Sequence, residues 1–169
     1  MTIKLLLDKL LFKLKTEVFS SVVEETLSKY SPSPNSLEPK QVWEKKIQEK
    51  LLDLYSGQAA VDKLIAGFDA IANDLYLHLS PEEFEKIEKE WEKGLEKWTV
   101  LAEESTTTKS ECLLEMIGIS EETLSHFYQA GNRYYILKDF QKASDAFYAI
   151  VGLDYRRYDI WLALVRHRI

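Results

Sequence analysis

Reactive side chains are few in this sequence, and their spacing does not assemble them. The three histidines, His78, His126 and His167, stand far apart. None forms the H-E-x-x-H arrangement that presents two imidazoles on one helix face to a zinc ion. Cys112 is the only cysteine; it has no neighbouring base, and alone it forms neither an intramolecular disulfide nor a thiolate metal cluster. No glycine-rich phosphate loop occurs, and six glycines and four prolines leave few of the sharp loops on which active-site groups usually stand. The sequence therefore predicts no catalysis, no cofactor and no metal. What it offers is contact chemistry. Tyr128 and Tyr135 combine large area with an orienting hydroxyl, Asn132 suits the backbone of an extended peptide, and Leu162 and Arg166 add an apolar contact and a partner for an acidic group. The competing reading makes Tyr128 and Tyr135 half-buried packing residues, because aromatic stripes at helical spacing usually face a core.

Helices have to position these side chains, and the composition supports them. The chain has 169 residues, of which 46% are hydrophobic and 12% aromatic, enough for one domain to close a core. Lys+Arg 22 against Asp+Glu 28 gives a net charge of −6, which argues against a nucleic-acid partner, since affinity for phosphate backbones is drawn from basic side chains. The leucine-rich start is interrupted by Lys4, Asp8, Lys9 and Lys13, so it has neither a secretory apolar core nor a membrane span. A cytoplasmic protein is the expectation.

Apolar residues from Ile3 through Leu14 to Val23 recur at three- and four-residue steps and predict an amphipathic helix over 2–29. This N-terminal unit, residues 1–30, suits packing or dimerisation. Its lysines, Lys4, Lys9, Lys13 and Lys15, also allow a peripheral contact with an anionic membrane, but the apolar face continues beyond them. The prolines Pro32 and Pro34 then mark a linker over 31–39. Residues 40–109 read as a helical hairpin module. Trp43, Ile47 and Leu51 start it, Gly57 stands where a left-handed helix cap is wanted, and Val61 to Leu79 carry the return helix as an antiparallel neighbour. Ser80-Pro81-Glu82-Glu83 has the form of a capping box opening a further helix, with Phe84, Ile87, Trp91, Leu95, Trp98 and Leu101 as its buried stripe. Glu82 with Lys86 and Glu85 with Lys89 stand at ion-pair spacing on its wet side.

Residues 110–169 match a more specific template. A short helix over 112–117 ends at Gly118, and Ser120 caps the next helix ahead of Glu121 and Glu122. Phe127, Gly131, Tyr134, Phe140, Ala143 and Phe147 then fall at the offsets of the tetratricopeptide repeat. Gly131 and Ala143 permit close helix approach, Tyr134 and Phe147 fill the space beside them, and Phe140 locks the start of the second helix. Trp161 follows Phe127 by one repeat period of about 34 residues. Lys138 stands in place of the turn glycine and Tyr155 in place of the closing proline. The fold expected is thus all-α, antiparallel helical hairpins ending in one and a half tetratricopeptide-like repeats. Ser125, Tyr128, Asn132 and Tyr135 would line the inner face, with Leu162 and Arg166 beside them. Trp161, Leu162, Leu164 and Val165 would form an apolar surface to be covered by a partner or a twin subunit, or by the N-terminal helix folding back.

The stretches Ile117-Gly118-Ile119-Ser120-Glu121-Glu122-Thr123-Leu124 and Asp139-Phe140-Gln141-Lys142-Ala143-Ser144-Asp145-Ala146-Phe147, with Gly152-Leu153-Asp154 and Trp161-Leu162-Ala163-Leu164, resemble the class II chaperones of bacterial type III secretion. The resemblance implies a dimerising N-terminal helical region and a repeat-built surface that holds a secreted translocator or effector as cargo without catalysis. A homodimer or a hetero-complex with that cargo is the expected assembly. A general tetratricopeptide scaffold in another assembly, and a peripheral membrane protein, are the alternatives.

Overall fold

The computed structural model describes residues 24, 27–28, 37–53, 57–104, 112–154, 156–157, 160 and 164. It is all-α, as the periodicity requires. The helices are α1 (Lys40–Asp53), α2 (Gly57–His78), α3 (Pro81–Glu104), α4 (Leu113–Ile117), α5 (Glu121–Ile136) and α6 (Phe140–Leu153), and there is no strand among the described residues. Of the N-terminal helix, Glu24, Leu27 and Ser28 are described; all three are helical, and Leu27 packs against the core. The rest of that helix and residues 31–36 of the linker lie outside the described residues.

Helix boundaries fall where local chemistry satisfies orphan backbone groups. The Ser80 hydroxyl accepts from the Glu83 amide at 3.3 Å, and the Ser80 amide donates back to the Glu83 carboxylate at 3.1 Å, which completes the capping box. At the end of α4, Gly118 adopts φ 75°, and the amides of Gly118 and Ile119 both return to the Leu114 carbonyl at 3.1 Å. Asp139 accepts from the Lys142 amide at 3.3 Å to start α6. Just before it, Lys138 takes φ 62°, the left-handed turn conformation that the missing glycine would have supplied without strain.

One hydrophobic cluster joins the elements. It runs from Trp43 and Ile47 of α1 through Leu64, Ile71 and Leu75 of α2 to Phe127, Ala146, Ile150 and Leu153. Gly57 is the first residue of α2 and not a left-handed cap, since Gly118 is the positive-φ glycine among the described residues. The densest packing of α2 is also against α6, far away in sequence, and not against α1. Small residues explain that choice: Gly67 lets the α6 backbone come so near that a Cβ there would lie 2.1 Å from the Asp145 carbonyl oxygen. The approach carries polar links as well, with Lys63 Nζ 2.9 Å from the Asp145 carboxylate and 3.1 Å from the Ser144 hydroxyl.

The α3 stripe behaves as expected, with Ile87 and Trp98 buried and Phe84, Trp91, Leu95 and Leu101 half-buried. On its wet side Lys89 pairs with Glu85 at 2.6 Å, but Lys86 turns instead to Glu122 of α5 at 3.0 Å. The interhelix partner lies across a shared surface with Glu90, where the α5 cap also sits. Leu164, expected on an apolar surface in need of a cover, is buried, as is Ile160. The chain itself therefore covers that position, while Trp161, Leu162 and Val165 lie outside the described residues.

Candidate functional site

α5 and α6 form an antiparallel hairpin that arranges aromatic side chains in a row. Gly131 is the contact point: a Cβ there would stand 2.7 Å from the Phe147 ring, so the ring lies directly on the α5 backbone. Phe147 then meets Tyr128 with ring centroids 5.8 Å apart, and two turns nearer the connection Tyr135 meets Phe140 edge-on at 5.5 Å. Asn132 lies between the two tyrosines, on the same side of α5, and is exposed. The structure thus brings Tyr128, Asn132 and Tyr135 together, whereas Leu162 and Arg166 lie outside the described residues.

The members of the row differ in accessibility. Tyr128 is half-buried, while Tyr135 retains 48% of its surface and Phe140 49%. Phe140 was expected to lock the start of α6; it is instead an accessible part of the row, because its position at the first turn of α6 leaves solvent on one side. Tyr134 also departs from its expected place. Its hydroxyl donates to the Ala70 carbonyl of α2 at 2.9 Å, so it ties α5 to α2, while the three atoms nearest to a Cβ on Gly131 all belong to Phe147. Burial pushes the Tyr134 phenol up, and nearby Asp74 acts in the same direction.

The other reactive side chains are held in structural settings. Cys112 is buried, and that burial pushes its thiol up, the opposite of what a nucleophilic thiolate requires. His78 Nδ1 lies 2.8 Å from the Asp74 carbonyl oxygen. His126 Nδ1 is buried without a partner beside a cavity of about 40 Å³ bounded by Glu83, Lys86 and Glu122. Among the described residues no group of three or more His, Cys, Asp or Glu could hold a metal ion. A larger groove of about 680 Å³ runs between α3 and α4 beside Lys97, Val100, Leu101 and Met116. It is remote in sequence from the aromatic row, and its open, mixed lining converges no polar groups on one point.

A carboxylate from α3 fixes the start of α5. Glu90 accepts from the Ser120 amide, from the Ser120 hydroxyl at 3.2 Å and from the Thr123 hydroxyl at 2.8 Å. Partial burial pushes the Glu90 carboxyl up, and these three hydrogen bonds outweigh it and hold the group below the usual carboxylate range. A depressed carboxyl stabilises the fold above its unfolded value, about 4.3, and the contribution is lost as pH falls through the folded value. Glu90→Gln should therefore cost about 1–2 kcal/mol at pH 7. In urea unfolding, the gap from the parent protein should narrow as pH falls through the carboxyl's lowered folded value; a gap independent of pH would show that the carboxylate charge is not what anchors α5.

Fold and site together define an all-α protein whose last described hairpin presents a partly exposed aromatic row. Comparison of the chain with protein-family models, with curated proteins and with solved structures finds no match. No helix among the described residues is long and apolar enough to cross a membrane.

Proposed function

We propose that this chain is a protein-binding chaperone or adaptor that holds a partner along the α5–α6 row without catalysis, acting in the cytoplasm. The observation that carries the proposal is the row itself. Tyr135 and Phe140 are half-exposed, Asn132 is exposed between Tyr135 and Tyr128, and aromatic side chains held rigidly by their neighbours give large contact area at small entropic cost. The resemblance to class II type III secretion chaperones, carried by the segments around Ser120 and Asp139, supplies the kind of partner: an aggregation-prone secreted translocator or effector.

Co-expression with a hydrophobic type III translocator tests this. The parent chain should keep the translocator soluble and co-purify with it. The exposed-site variant Asn132→Ala/Tyr135→Ala should fold normally by circular dichroism and bind about 10–100-fold more weakly, the range expected when one or two aromatic or polar anchors are lost. A folded variant that retains the translocator undiminished removes the row as the binding surface. A parent chain that leaves the translocator insoluble removes the chaperone reading.

A further inference from the structure

We draw no further inference here: the strongest candidate, the groove between α3 and α4, sets Glu90 and Glu96 beside Lys93 and Lys97 around an apolar floor, so its charges favour neither an acidic nor a basic partner and nothing in the structure shows what covers it.

Discussion

Gly67→Ala should destabilise the protein by about 3 kcal/mol or more, although alanine is the better helix former by about 1 kcal/mol. The added Cβ would lie 2.1 Å from the Asp145 carbonyl oxygen and 2.8 Å from the Ala149 Cβ. Neither neighbour is the free end of a flexible side chain; one is backbone and the other is the first atom of a residue fixed in α6. Relief therefore requires the two helices to separate, and that separation opens the most closely packed contact in the fold. It also strains the Lys63 link to Asp145 and displaces α6, which carries Phe140 and Phe147 of the aromatic row. Thermal unfolding should show a midpoint lower by roughly 6–12 °C for a chain of this size. A midpoint within a degree or two of the parent would mean that α2 and α6 are not held at this distance in solution.

The value of Gly67 illustrates what the sequence conceals. Read locally, a glycine inside a helix is a weak position, and nothing near it in sequence shows that Asp145 and Ala149 will lie against it. Signals that act within one turn were legible: Ser80 with Glu83, Gly118 after Ile117, and Ser120 before Glu121 all end or begin helices where their chemistry places them. Amphipathic stripes were legible too, because burial of one helix face needs no knowledge of the partner. The partner itself was not. Lys86 has Glu82 at a favourable helical spacing, yet it reaches Glu122, 36 residues away. In the site, the common face of Tyr128, Asn132 and Tyr135 followed from helical period, whereas the exposure of Phe140 depended on how the α5–α6 turn is closed. That turn uses Lys138 at φ 62° where the repeat template would use glycine, so the conformation was retained even though its usual residue was absent.

Removal of the Arg133 guanidinium should cost about 3–4 kcal/mol, because it would strand a carboxylate inside the fold. The Asp74 side chain is only 4% exposed, and Arg133 meets it in a fork, Nε lying 3.1 Å from Oδ1 and 2.9 Å from Oδ2 while Nη2 also donates to Oδ2. The other polar neighbour, His78 Nδ1, is 3.4 Å from Oδ1 and 47% exposed, so it replaces little of what the guanidinium provides. The pair joins α2 to α5, as does Tyr134 through the Ala70 carbonyl, and so holds the helix that bears the aromatic row. Arg133→Met distinguishes charge from packing, since it keeps most of the aliphatic stem. It should be nearly as destabilising as Arg133→Ala in denaturant unfolding. Asp74→Leu/Arg133→Met removes both charges and should recover most of the loss, because neither an unpaired ion nor its desolvation penalty remains. If Arg133→Met were neutral, or if the double variant were no more stable than the single one, the bridge would not be what fixes α5 on α2.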